Sequence, residues 1–400
     1  MLVAVALAVA VALSVDVGRH QRVGQDFHVF WQAGRNFATG HPLYHDSLPG
    51  ARPLKYPPFA ALVFQPLALF PLQVAGALFS LLNLVLWVAA VWLTRDIVAR
   101  VFPERARGVM PLVVAVLLSA QFFLDNFHHA QVNGVIFVLV LLGIRAALEG
   151  RDVRAAAFTV AATAIKITPI FFVAWLMLRG RRRAALAVPP LALACILIPM
   201  VLRGPATGAA ELVEYYHVFL QGHQHGEISD YTGGQNIAGL VNRMTLPVNN
   251  PQQVSYRWLP LSEPGAQLAY RILWTAVMLV FLAQLVRLRR RRAEVSALEL
   301  AMVFLAGLLL SPITFTTHLV SLLFVFLAFL SVRPASLSPA MRPVAVMLCL
   351  AMAVIGLSGR DLAGDTAYEA VGGYSLYAWT MLALFATAVL ADLERLQERH

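Results

Sequence analysis

The chain has 400 residues, 59% hydrophobic and only 13% charged, with a mean hydropathy of +0.71. Soluble globular chains carry about 25% charged residues, so a soluble fold is excluded, because the available polar side chains could not cover its surface. The net charge of +10 would suggest nucleic acid in a soluble chain, but the basic residues sit in short runs between apolar stretches. The partner is therefore a lipid bilayer, and no nucleic acid is expected. Long disordered tracts are excluded by 23 Phe, 7 Trp and 10 Tyr, which would have nowhere to stay solvated. Alternation of the barrel type is absent, which leaves an all-α integral membrane protein. Cys195 and Cys349 both lie inside apolar runs, so there is no disulfide framework and no C-x-x-C metal pair.

Apolar runs long enough to cross a bilayer lie near 2–18, 74–94, 109–125, 132–148, 184–202, 266–286, 296–312, 315–332, 343–358 and 374–391. The first begins at the chain's start with no basic residue before it, as expected if translation starts further upstream. The alternative, a cleaved signal peptide, lacks its positive n-region. An eleventh stretch, 155–178, has arginines on both sides: Arg151 and Arg154 before it, Arg179, Arg181, Arg182 and Arg183 after it. Both flanks favour the cytoplasm, which one crossing cannot satisfy. Lys166-Ile-Thr-Pro169 interrupts it, since proline breaks a helix and lysine is costly in lipid. Two half-helices, in and back, are predicted, with Lys166 near the tip. On this topology about two-thirds of the 31 Lys and Arg fall in short cytoplasmic loops and at the C-terminus. Both termini are then cytoplasmic, and two long polar, aromatic segments, 19–73 and 203–265, face outward, where function is expected to concentrate.

The most informative stretch runs from Gln25 to Pro71. Asp26 follows the first span by a few residues and stands among Phe27, Phe30 and Trp31. A carboxylate there is placed to act as a general base. Directly before FHVFWQAG it is also well placed to cap a helix. Gly40-His-Pro-Leu-Tyr44 and Lys55-Tyr-Pro-Pro58 read as turns of a stiff loop. Asp125, Asn126, His128 and Gln131 join two spans on the outer side, as a plain connection or as acceptor contacts. His128-His129 and His223-x-His225 lack acidic or cysteine companions at ligand spacing, so no metal and no cofactor are expected. No D-x-D pair exists to hold a nucleotide sugar through a divalent ion.

A single Asp after the first span, then G-x-P-L-Y and Y-P-P-hydrophobic, resembles glycosyltransferase family 87. Gln131-Val-Asn133 resembles the family's G-Q-x-N element, with Ala130 in the glycine's place. Lys166-Ile-Thr-Pro169 matches its K-x-x-P element. Gly234-Gln-Asn-Ile-Ala-Gly239 is similar to N-x-S-x-x-G, with Ile237-Ala238 replacing the usual polar pair. Ser311-Pro-Ile-Thr314 with His318 resembles S-P-I-S-W-x-H-H, with Phe315 for the tryptophan and Thr317 for the first histidine. The likeness covers roughly residues 1–330.

The resemblance implies a single GT-C-type transmembrane domain over 1–400, with about ten full spans plus the half-helices. It also implies an enzyme of the plasma membrane that takes a hexose, mannose by family, from a polyprenyl-phosphate carrier. The acceptor would be a hydroxyl on a lipid or glycan, and transfer would be an inverting single displacement with Asp26 as base. Cationic donors would stabilise the departing phosphate. Lys166 and His318, each in or beside an apolar span, fit that role, and Tyr44, Tyr56, His128, Gln131, Asn133 and Asn236 would contact substrate. The alternatives are a transporter or lipid flippase, which predicts paired charges buried mid-span and repeated halves, and a GT-C transferase of the protein O-mannosyl or aminoarabinose type. Members of that second group place a pair of acidic residues in the first outer loop, where this chain has Asp26 followed by Phe27.

Overall fold

A computed structural model describes residues 2–23, 25–44, 52, 54–102, 108–221, 233–247, 256–332, 339 and 341–397, with side chains described between residues 8 and 391. Helices dominate, and the described residues include no strand. In chain order they begin with α1 (Leu2–Arg19), α2 (Asp26–Thr39), α3 (Pro58–Phe64), α4 (Leu72–Val101), α5 (Val109–His128) and α6 (Asn133–Leu148). Next come α7 (Asp152–Ile165), α8 (Ile170–Leu178), α9 (Arg182–Arg203), α10 (Pro205–Tyr215), α11 (Ile237–Thr245) and α12 (Glu263–Arg290). The series ends with α13 (Ala297–Leu310), α14 (Leu322–Leu330) after a 3₁₀ segment Thr316–Ser321, α15 (Met341–Leu357), α16 (Arg360–Gly373) and α17 (Leu376–Gln397).

Among the described residues, α4, α5, α9 and α12 are long and apolar enough to cross a membrane. In α9 only 11% of the most apolar stretch is buried, and Leu186, Val201 and Leu202 point outward. Side chains this apolar, left uncovered by protein, belong against lipid. The chain is thus a multi-pass membrane protein. Four more of the ten expected spans, α6, α13, Thr316–Leu330 and Leu376–Ala391, are apolar helices of 10–17 residues, short for ~30 Å of hydrocarbon at 1.5 Å per residue. After α15 the chain turns by 111° into α16, a helix that lies between two of the apolar runs. The interrupted stretch 155–178 is two helices as expected. α7 stops at Ile165, Lys166 is extended (φ −148°, ψ 126°), and α8 starts after Pro169.

The chain divides into two compact units. The first comprises Met1–Ala90, Leu124–Leu176 and Arg181–His225. Within it α7 packs between α6 and α9, and α2 lies on α3. The buried face of α2 carries Phe27, Phe30, Trp31, Gly34 and Phe37 at helical spacing. Gly34 is small by necessity, since a Cβ there would come within 2.6 Å of the Phe64 carbonyl oxygen. Trp31 Nε1 donates to Phe70 O at 2.9 Å, and Gly40 (φ +80°) ends α2 in the left-handed conformation. At that end Arg203 donates to the carbonyls of Asn36, Phe37 and His41 and pairs with Glu211. The guanidinium satisfies carbonyls the helix cannot, and its charge suits the negative end of the dipole.

The second unit comprises Val91–Phe123, Met177–Gly180 and Gly226–His400. Its centre is α13 and α14, buried nearly all round. A helix that apolar on every face needs protein or lipid on every side. Glu299, fully buried on α13, accepts from Arg179 Nε at 2.7 Å, so neither charge is left unpaired in an apolar setting.

Candidate active site

Asp26 is the first residue of α2, not its cap. Gln25 occupies the cap position and makes no side-chain capping bond, so the capping expectation is corrected. The carboxylate, freed from the backbone, turns to other side chains. Arg52 Nη1 donates to Oδ1 at 2.8 Å, and Gln131 Nε2 donates to Oδ2 at 2.6 Å. Gln131 lies in the tight turn between α5 and α6, where Ala130 takes φ +44°. That turn is closed by Gln131 N–H donating to Asn126 O at 2.9 Å. Ala130 stands where the family pattern has glycine, and the backbone angle accounts for the preference. The Gln131 Oε1 atom is buried and has no partner among the described residues.

Two residues on, Asn133 opens α6, and its Oδ1 accepts from Lys166 Nζ at 2.7 Å. Lys166 is 9% exposed and lies 5.7 Å over the Tyr56 ring. It sits at the break between α7 and α8, where unwound backbone brings a lysine to a polar partner inside an apolar segment. Tyr44 OH donates to Tyr56 O at 2.9 Å, tying the Gly40–Tyr44 turn to the Tyr56-Pro-Pro turn. Burial pushes both phenols above their ordinary value, and for Tyr56 the charge of Asp26 adds to this. Both therefore act as neutral hydrogen-bonding groups. The charge of Asp26 is also felt at His129, after the larger effect of its bond to Asp125. The first unit thus gathers Asp26, Tyr56, Gln131, Asn133 and Lys166, with Tyr44 behind them. His128 is exposed at the end of α5. It and His129 belong to no group of three or more His, Cys, Asp or Glu among the described residues, and His223 and His225 lie outside those residues.

In the second unit the two remaining motifs interlock. Asn236 caps α11 by accepting from Gly239 N–H at 2.9 Å, while its Nδ2 donates to Ser311 O at 2.5 Å. Gln235 N–H donates to Thr314 O at 2.6 Å. Arg243, buried on α11, donates to Gly234 O at 2.6 Å and to Ser375 Oγ at 2.8 Å, and burial lowers it to about 10. The Gly234–Gly239 and Ser311–Thr314 segments are therefore one structure. His318 Nδ1 accepts from Phe315 N–H at 2.8 Å, so the ring's proton sits on Nε2.

The profile of glycosyltransferase family 87 matches residues 54–312. The chain belongs to this family. Tyr56, Gln131, Asn133, Lys166 and Asn236 fall inside the matched segment, whereas Asp26, Tyr44 and His318 fall outside it. Two relatives carry the name polyprenol-phosphate-mannose-dependent alpha-(1-2)-phosphatidylinositol mannoside mannosyltransferase. The protein from Mycobacterium tuberculosis is 26% identical over 392 residues, covering 92% of this chain and 83% of the relative. The protein from Mycolicibacterium smegmatis is 26% identical over 337 residues, covering 74% of this chain and 68% of the relative. This member of family 87 is a glycosyltransferase of the membrane. Sequence reasoning missed Arg52, whose only signal was a lone cation between two turn motifs. It also missed Arg203 and Arg243, isolated basic residues that carry no motif.

Proposed function

We propose that the protein transfers mannose from a polyprenyl-phosphate carrier to a hydroxyl of a lipid or glycan acceptor at the outer face of the plasma membrane. The observation that supports this most directly is the presence of a carboxylate and a buried ammonium in one polar site, Asp26 beside Gln131 and Lys166 on Asn133. Asp26 takes the acceptor's hydroxyl proton as its oxygen attacks C1 of the sugar. The bond from C1 to the phosphate oxygen breaks on the opposite face, and the carrier leaves as a phosphate monoester. The anomeric configuration inverts. Lys166 answers the growing phosphate charge. The buried Gln131 Oε1 accepts from a hydroxyl of the bound sugars, and Tyr44, Tyr56, His128 and Asn133 shape the surroundings.

In this reading the architecture is a GT-C-type bundle with about ten full spans, the pair α7 and α8 as half-helices that enter and leave from the cytoplasmic side, and both termini inside. The names of the two relatives, which specify a mannosylated carrier and a phosphatidylinositol mannoside, favour mannose and a lipid-borne glycan acceptor. Purified protein incubated with labelled polyprenyl-phosphate-mannose and a membrane lipid extract tests the reading. A labelled mannolipid formed by the wild type is the expected result. Labelled carrier left intact with every extract would overturn it.

A further inference from the structure

We propose that Arg52 is an exchangeable counter-ion that neutralises Asp26 in the free protein and passes to the donor's phosphate, so that donor binding releases the base. The inference rests on the reading of Asp26 given above. Asp26 has two carboxylate oxygens, and both are engaged, Oδ1 by Arg52 at 2.8 Å and Oδ2 by Gln131 at 2.6 Å. An incoming hydroxyl has to share this carboxylate with both donors, and it is best received on an oxygen that no guanidinium holds.

The two donors are not equivalent. Gln131 is 6% exposed and anchored in the closed turn before α6, and its amide is neutral. The Arg52 side chain is 64% exposed, and it reaches Asp26 from the segment between the Tyr44 and Tyr56 turns. An exposed ion pair of this kind is held by little free energy, so the guanidinium can be drawn off by a stronger partner. Lys166, 9% exposed and bonded to Asn133, is the fixed cation of the site, and Arg52 is the movable one. The planar fork of arginine binds carboxylate and phosphate through the same pair of N–H groups, so the two anions compete for it. The donor brings a phosphodiester charge and acquires a second charge as the bond to C1 breaks. Once Arg52 has moved, Oδ1 is open to receive the hydroxyl proton, while Gln131 still orients the carboxylate through Oδ2. The exchange imposes an order, donor before acceptor.

A binding cycle tests this without relying on turnover. Radiolabelled polyprenyl phosphate, the leaving carrier, is titrated against full-length protein in nanodiscs as wild type, Asp26→Asn, Arg52→Gln and the double variant. Asp26→Asn is expected to bind the carrier about two- to five-fold more tightly, because the phosphate no longer has to break an exposed pair. Arg52→Gln should weaken binding by about ten-fold. In the double variant the tightening should vanish. Unchanged or weaker binding by Asp26→Asn, or a gain that persists without Arg52, would overturn the exchange. Transfer measured on the same samples keeps the two ideas apart, since activity retained by Asp26→Asn defeats the base assignment and leaves the binding cycle interpretable.

Discussion

Lys166 Nζ donates to Asn133 Oδ1 at 2.7 Å, joining the break between two half-helices to the first residue of α6. Each residue accounts for the other. An ammonium in an apolar segment needs an oxygen, and a buried amide oxygen needs a donor. Lys166→Ala should lower kcat/KM for the donor by about ten-fold or more, the scale of a hydrogen bond to a charged group. Asn133→Leu, which leaves the lysine without its oxygen, should lower thermal stability as well. Full donor turnover by Lys166→Ala would remove the phosphate role.

Asp26→Asn separates catalysis from folding. As the first residue of α2, Asp26 gains only about 0.3–1 kcal/mol from the helix dipole, and asparagine can still accept from Gln131. Transfer should fall at least about a hundredfold, with membrane insertion and melting temperature nearly those of the wild type. Wild-type transfer by the variant would withdraw the assignment.

Asn236 uses both ends of its amide, one to cap α11 and one to hold Ser311 O. Aspartate keeps the first bond and loses the second, whereas alanine loses both. Asn236→Asp should therefore be intermediate, and Asn236→Ala should cost about 2–3 kcal/mol, read by thermal unfolding in detergent. Gly239→Ala should be worse tolerated than an ordinary loop substitution, because its Cβ would overlap the Gly234 carbonyl.

His129, just past the end of α5, is raised from its ordinary 6.5 to about 9, first by its side-chain bond to Asp125, with Asp26 adding to the effect and burial opposing it. A histidine raised on folding contributes stability that is fully present below pH 6.5 and is lost as pH rises through about 9. Because the ring is half exposed, the effect should stay below about 1 kcal/mol. Melting curves from pH 6 to 10 should show the wild type losing stability that His129→Gln lacks, and identical curves would exclude the effect.

The half-helix topology places the α8–α9 junction in the cytoplasm. Arg183 is exposed there, and Arg183→Cys, with Cys195 and Cys349 replaced by alanine, should react with a membrane-impermeant maleimide only after the membrane is opened. Labelling of intact cells would reverse that junction and every outer loop after it.

Much of this protein was legible in one dimension. Apolar length and basic flanks locate helices because the bilayer acts on each segment through its own composition. The interruption at Lys166–Pro169 was visible because proline and lysine each carry a local penalty. Asp26, Gln131 and Lys166 could be picked out as polar residues in places where polarity is expensive. The pairings between them could not. That Asp26 faces Arg52 and Gln131, or that Asn236 reaches Ser311 across 75 residues, depends on how the turns at Ala130 and Gly40 aim the chain and on which helices pack together. Hydrogen bonds discriminate over a few tenths of an ångström, whereas hydrophobic patterning is non-directional and fixes only which segments are buried. Composition therefore determined the membrane and the segments, and the tertiary structure alone decided which oxygen meets which nitrogen.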